Sequence, residues 1–236
     1  PMIMLFHGFA EASEWQSIYY DLERFASEKG LIYILPEGKP NLAGLPNWNA
    51  TFGMCSTQNT DDLGYLIGLI EEAQERFNVN DRQIFLMGHS CGGYMAYRLA
   101  CERADLIAGF VNHAGGSVAF PSTCAPSEPV TVIHAHGTFD PVVNYYLPLV
   151  GQNVASIGEW WAESNGCDLG PEDLSLRDYD KLVWFSETRP VAWDDCDDNA
   201  AVRIWRMNGS GHFPALQDSF TIDALDFLLA HPKPSN

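Results

Sequence analysis

Five residues set the chemical question: Gly88-His89-Ser90-Cys91-Gly92 fits the pattern G-x-S-x-G. The apolar run Gln83–Met87 precedes it and the amphipathic stretch Gly93–Ala104 follows. A strand passing into a helix through a sharp turn is the context in which such a serine becomes a nucleophile. The turn requires strained dihedrals at Ser90, and side chains two residues to either side would collide. Gly88 and Gly92 leave that space open. The backbone N–H of Cys91 then opens the helix, where the dipole favours developing negative charge. The competing reading is a glycine-rich turn with a bystander serine.

A serine nucleophile needs a base to take its proton and an acid to hold that base. On this kind of turn the three follow in the order Ser, Asp or Glu, His, each on a loop after a strand. Asp140 meets the demand, because strand Val130–His134 leads into His136-Gly137-Thr138-Phe139-Asp140-Pro141 and Pro141 stiffens the turn. Its plain alternative is an aspartate capping its own loop. The run Asp194-Asp195-Cys196-Asp197-Asp198 is a rival source of acid. It precedes the last strand instead of following one, which reads as a solvated loop, and its spacing does not match a calcium-binding EF-hand.

Of seven histidines, His212 is the expected base, in Gly209-Ser210-Gly211-His212-Phe213-Pro214 between the last strand and the last helix. His7, His113, His134 and His136 fall in or at the ends of core strands and read as structural. His89 sits inside the turn, pointing elsewhere, and His231 is in the tail. An oxyanion needs a second donor beside the Cys91 N–H. The first strand ends in His7-Gly8-Phe9, where Gly8 permits a turn that aims the Phe9 N–H inward. Losing one such donor costs about 3–4 kcal/mol of transition-state stabilisation. Trp48, Trp160 and Phe213, with Phe9, are candidates to line an apolar cleft, and each is equally suited to the core. This chemistry requires neither metal nor cofactor.

The elements that must position these groups alternate short apolar strands with amphipathic helices, which predicts a parallel sheet covered on both faces. Strands are expected at Ile3–Phe6, Leu31–Leu35, Gln83–Met87, Leu106–Val111, Val130–His134 and Val202–Met207. Helices are expected at Ile18–Glu28, from Asp61 or Asp62 to Phe77, at Gly93–Ala104, Val154–Ser164 and Ser219–Leu229. The segment Gly166–Ala200 reads as irregular and acidic, with one strand at Leu182–Phe185. No repeat, low-complexity tract or linker divides the 236 residues, so a single domain over 1–236 is expected. Pro1 precedes what already reads as a buried strand, so a leader and one or two edge strands are expected upstream.

The formal net charge is −18. Such a surface repels phosphate backbones and anionic lipid, which argues against nucleic-acid and membrane partners and suits a neutral substrate. No apolar run approaches the ~18–20 residues needed to span a bilayer. The six cysteines contain no C-x-x-C pair. An even number spread over loops and helix ends points to an oxidising compartment, secreted or periplasmic.

Taken together, the chain resembles the extracellular esterases that include polyhydroxybutyrate depolymerases and feruloyl or acetylxylan esterases. The resemblance covers almost all of the sequence. It rests on Leu5-Phe6-His7-Gly8, Trp48-Asn49, Asp61-Asp62-Leu63-Gly64-Tyr65, Gly88 through Cys101, His136 through Val143, Trp161 through Cys167, and Gly209-Ser210-Gly211-His212. It implies an α/β-hydrolase fold and a carboxylic-ester hydrolase, with Ser90, Asp140 and His212 as triad and the Phe9 and Cys91 amides as oxyanion donors. It also implies disulfides Cys167–Cys196 and Cys101–Cys124, leaving Cys55–Cys91. Two departures concern cleft shape: Gly-Ser-Gly-His replaces Gly-Gly-Gly-His, and Phe213-Pro214 replaces Trp-Pro. Acyl specificity stays open among polyester, feruloyl and acetyl esters. The alternatives are a peptidase of prolyl-oligopeptidase type, whose turn is similar, and a non-catalytic binding protein.

Overall fold

The computed structural model describes residues 1–50, 55–56, 60–116, 124–146 and 153–235. Its frame is an eight-stranded sheet comprising β1 (Met2–Phe6), β2 (Ile32–Ile34), β3 (Ile84–His89), β4 (Gly109–His113), β5 (Thr131–Gly137), β6 (Leu169–Asp173), β7 (Thr188–Asp194) and β8 (Val202–Met207). The strand order is β2-β1-β3-β4-β5-β8-β7-β6. All pairings from β2 to β8 are parallel, and β7 joins β8 and β6 in antiparallel register. This is the α/β-hydrolase architecture.

Parallel strands bury both faces, so their side chains divide between two cores with a period of two. Met2, Met4 and Phe6 join Leu86, Phe110, Val132 and Ile204 on one face. Helices α3 (Asp62–Arg76), α4 (Cys91–Glu102) and α5 (Val154–Ser164) cover that face through Leu66, Met95 and Trp161. Ile3 and Leu5 face the other way with Phe85, Val111, Ile133 and Trp205. Helices α1 (Ser13–Tyr20), α2 (Leu22–Glu28) and α6 (Asp218–Ala230) close that side with Tyr20, Phe25 and Phe220.

Several expected elements differ, among them β5, which runs to Gly137 instead of His134 and so includes His136. The helix expected over Ile18–Glu28 is two helices, because Asp21 takes the left-handed conformation (φ 48°) and its N–H closes α1 on the Ser17 and Ile18 carbonyls. Aspartate tolerates that conformation better than most residues. The strand expected at Leu182–Phe185 is an exposed turn, and the strands of this region are β6 and β7. Strand β6 is solvent-exposed along its length, so it carries no apolar alternation to find. Strand β4 starts at Gly109, three residues later than expected, because Leu106 and Ile107 belong to the turn bonded to Arg103.

The cysteines pair as Cys55–Cys91, Cys101–Cys124 and Cys167–Cys196, and none is free. The first of these ties the loop before α3 to the first residue of α4.

Candidate active site

Ser90 stands between β3 and α4 with φ 52° and ψ −119°, a region nearly closed to residues with a Cβ. Its surroundings explain why the strain persists. A Cβ on Gly88 would lie 2.2 Å from the Gly92 carbonyl oxygen, and one on Gly92 would lie 2.1 Å from that of Phe6. The Ser90 N–H donates to the His113 carbonyl at 2.9 Å, and Tyr94 N–H reaches the Ser90 carbonyl at 3.1 Å. The turn is thus held by both neighbouring strands and by the disulfide at Cys91.

The loops after β5 and β8 bring an aspartate and a histidine to this serine. His212 Nε2 lies 3.0 Å from Ser90 Oγ, and His212 Nδ1 lies 2.7 Å from Asp140 Oδ2. All three residues are buried. The Asp140 carboxylate is oriented by its own turn, since Oδ1 accepts the Val142 and Val143 N–H groups at 2.7 and 2.9 Å. The two loops are also stitched together. Phe139 N–H donates to the Ser210 carbonyl, and Gly209 N–H donates to Thr138 Oγ1.

Burial opposes ionisation of Asp140, but hydrogen bonds from His136 and His212 outweigh it and hold the carboxyl far below the usual carboxylate range. An ionised carboxylate only accepts, so His212 carries its proton on Nδ1 and turns the Nε2 lone pair to Ser90. That is the protonation state a general base requires.

His136, expected among the structural histidines, has a more specific position. Its Nε2 lies 2.7 Å from the Val143 carbonyl and 3.2 Å from Asp140 Oδ2. The signal in the sequence is the i, i+4 spacing of His136 and Asp140 across a strand end. His89 also touches the site, donating from Nε2 to the His212 carbonyl at 2.9 Å.

The register pairing Phe6 with Gly88 brings His7-Gly8-Phe9 out of β1 beside the serine. Gly8 N–H is bonded to Glu11 Oε2 and Ala10 N–H to the Pro46 carbonyl. The Phe9 N–H has no acceptor among the described residues. Cys91 N–H belongs to the first turn of α4, whose amides lack intrahelical partners.

The residues expected to line the cleft separate. Trp48 is fully buried, its Nε1–H donating to the His7 carbonyl at 2.9 Å and its ring packed on Phe6 and His7. It therefore supports the end of β1 from below and lines nothing. Trp160 packs on Tyr97 and Trp161 against the α4–α5 core. The expectation for Trp48 is corrected to a core role, whereas Trp160 is half-buried at the edge of that core. Phe213 is 57% exposed, with its ring 5.0 Å from that of His212. Beside it opens a groove of about 600 Å³ lined by Ala10, Ala12, Trp15, Ile18, Tyr19 and Phe213, with Glu11 its one charged residue. The expected start of the first helix at Ile18 hid Trp15, which α1 presents there.

The acidic run from Asp194 ends β7 opposite the first residues of β8, at the far end of the sheet from Ser90, and Asp194 pairs with Arg203. It cannot supply the acid. Among the described residues no group of three or more His, Cys, Asp or Glu could hold a metal ion, and no helix is long and apolar enough to cross a membrane.

Comparison with known proteins gives this geometry a context. The profile of the phospholipase/carboxylesterase family matches residues 1–156. A bifunctional acetylxylan esterase/xylanase of Neocallimastix patriciarum is 25% identical over 222 residues, covering 92% of this chain and 29% of that protein. Feruloyl esterase B of Piromyces equi is 25% identical over 225 residues, covering 90% and 39% respectively. The chain thus spans well under half the length of these two relatives. Among solved structures, an acetyl xylan esterase from Aspergillus awamori superposes with a TM-score of 0.68 at 15% identity, covering 97% of this chain and 88% of that one.

Proposed function

We propose, for a chain that belongs to the phospholipase/carboxylesterase family, a serine carboxylic-ester hydrolase working through an acyl-enzyme, with residues 1–236 as one catalytic domain. The observation that carries this reading is His212 held between Asp140 at 2.7 Å and Ser90 at 3.0 Å. Ser90 Oγ attacks the ester carbonyl while His212 Nε2 takes its proton, and Asp140 stabilises the imidazolium that forms. The Phe9 and Cys91 amides receive the oxyanion. His212 next protonates the departing alcohol, then draws a proton from water as that water attacks the acyl-enzyme. None of these steps needs a cofactor.

The groove favours an ester with an uncharged, apolar portion, since Glu11 and the net charge of −18 both repel anions. The names of the relatives point to acetyl or feruloyl esters of polysaccharide. A polyester is the second reading. It is favoured by the exposure of Trp15, Phe139, Trp184, Phe185 and Phe213, all borne on loops or helices next to the strand ends that carry Ser90 and His212. Three disulfides support an extracellular or periplasmic site of action.

The test is a panel of feruloylated arabinoxylan, acetylated xylan and a hydroxyalkanoate polyester, assayed with the parent chain and with Ser90→Ala. Ester hydrolysis that disappears in the variant supports the assignment, and unchanged turnover by a folded Ser90→Ala protein rejects it. The preferred substrate decides between the two readings.

A further inference from the structure

Behind the acid lies an imidazole pair that takes no step in the proposed hydrolysis. His134 and His136 are both fully buried on β5, their rings stacked at 5.4 Å. His134 Nε2 lies 3.1 Å from His136 Nδ1. His136 Nε2 lies between the Val143 carbonyl at 2.7 Å and Asp140 Oδ2 at 3.2 Å. Asp140 Oδ2 is therefore shared by two histidines, His212 in front and His136 behind.

The protons of this chain can be placed. A carbonyl and an ionised carboxylate both only accept, so His136 carries a hydrogen on Nε2. Burial first, then the neighbouring His136, push His134 far below the ordinary histidine range, so it is neutral with one N–H. His134 Nδ1 is buried without a partner. A bare acceptor there costs less than a stranded donor, so the His134 hydrogen sits on Nε2 and points at His136 Nδ1. In this arrangement every N–H finds an acceptor: His134 donates to His136, and His136 donates to Asp140 and Val143.

We infer that His136, its tautomer fixed by His134, is a positioning residue for the proposed triad. It holds the Asp140 carboxylate in line with His212 and draws off part of its negative charge. The inference rests on Ser90, Asp140 and His212 acting together. Among the described residues, other titratable or charged groups face His136 from neighbouring elements. Tyr145 packs edge-on at 5.8 Å, Arg206 is its register partner on β8 and lies over the Tyr145 ring, and His113 acts from β4.

Replacing His136 by leucine removes one of the two hydrogen bonds to Oδ2. The carboxylate then offers more charge to His212, so the acid limb of the kcat/KM profile moves to higher pH, by about half a unit. With its carboxylate less well held, kcat falls by about tenfold while KM stays within about twofold. His136→Gln, whose amide N–H reaches about as far as Nε2, restores both the pH limb and most of kcat. A residue that only filled space would lower the yield of folded enzyme without moving the limb, and glutamine would rescue no better than leucine. An unmoved limb, an unchanged kcat or a failure of glutamine to rescue overturns the inference.

The parent protein supplies a check that survives a poorly folding variant. Nitrogen-15 shifts of the imidazoles at pH 7.5 are expected to show the Nε2–H tautomer at both His134 and His136, and an Nδ1–H tautomer at His136 rejects the assignment. Loss of ester hydrolysis in His136→Leu with full hydrolysis in Ser90→Ala would count against the triad itself, and so is distinguishable.

Discussion

Replacing the Asp140 carboxylate by an amide changes one atom, and the structure dictates where that atom goes. Oδ1 accepts the Val142 and Val143 N–H groups at 2.7 and 2.9 Å, so in Asp140→Asn the NH₂ group cannot occupy that side. It must take the Oδ2 position, where it meets the Nδ1 side of His212 at 2.7 Å and the His136 Nε2–H at 3.2 Å. Two donors then face one another. His212 resolves this by moving its hydrogen to Nε2, which points an N–H at Ser90 Oγ and removes the lone pair that should take the serine proton. A base in the wrong tautomer costs about 10⁴ in kcat, equivalent to about 5.5 kcal/mol of barrier. The assay is kcat on p-nitrophenyl acetate, with thermal melting monitored alongside to show that the variant is folded. A folded Asp140→Asn enzyme that keeps more than about a tenth of parent kcat refutes the reasoning, since no such loss of base can be reconciled with it.

Acid sensitivity follows from the buried histidines. Burial, helped by neighbouring imidazoles, pushes His113 and His134 well below their ordinary value of 6.5. The unfolded chain therefore binds protons that the native protein refuses once the pH drops below that value. Stability is complete above it and falls on acidification, with a limiting slope of about 1.4 kcal/mol per pH unit for each histidine. Asp140 and Glu11, both lowered, add losses of the same sign only at lower pH, as the pH falls through their native values. Urea midpoints at pH 7.5 and 5.5 check this, and equal midpoints contradict it. The Cys55–Cys91 bond spans 36 residues, for which loop-closure entropy assigns about 4 kcal/mol. The double variant Cys55→Ala, Cys91→Ala is expected to lose stability of that order and to lower kcat, because the first turn of α4 is no longer held. A variant with the parent's denaturant midpoint and kcat contradicts that role.

The geometry of the candidate site was legible where it depends on backbone constraint. Gly88 and Gly92 mark the strained turn because no Cβ fits there, and the order Ser90, Asp140, His212 follows from which loops leave the strand ends on one side of the sheet. Burial was not legible. Trp48 and Trp160 have the composition of cleft residues, but only packing decides which aromatic faces solvent: Trp48 is wholly in the core and Trp160 half-buried against it. Leu182-Val183-Trp184-Phe185 shows the same ambiguity in reverse, since an apolar run that reads as a strand is an exposed turn. The partnership of His136 with Asp140 was hidden because a histidine in a buried strand has many ways to be satisfied. Trp15 was missed because the first helix starts at Ser13, ahead of the expected Ile18.

Covalent capture of the nucleophile is the most direct measurement of the central proposal. A fluorophosphonate probe, followed by peptide mass spectrometry, is expected to add one label to the peptide carrying Ser90, with ester hydrolysis lost in proportion to labelling. Inactivation with the label on another residue, or hydrolysis that persists when Ser90 is fully labelled, would contradict it.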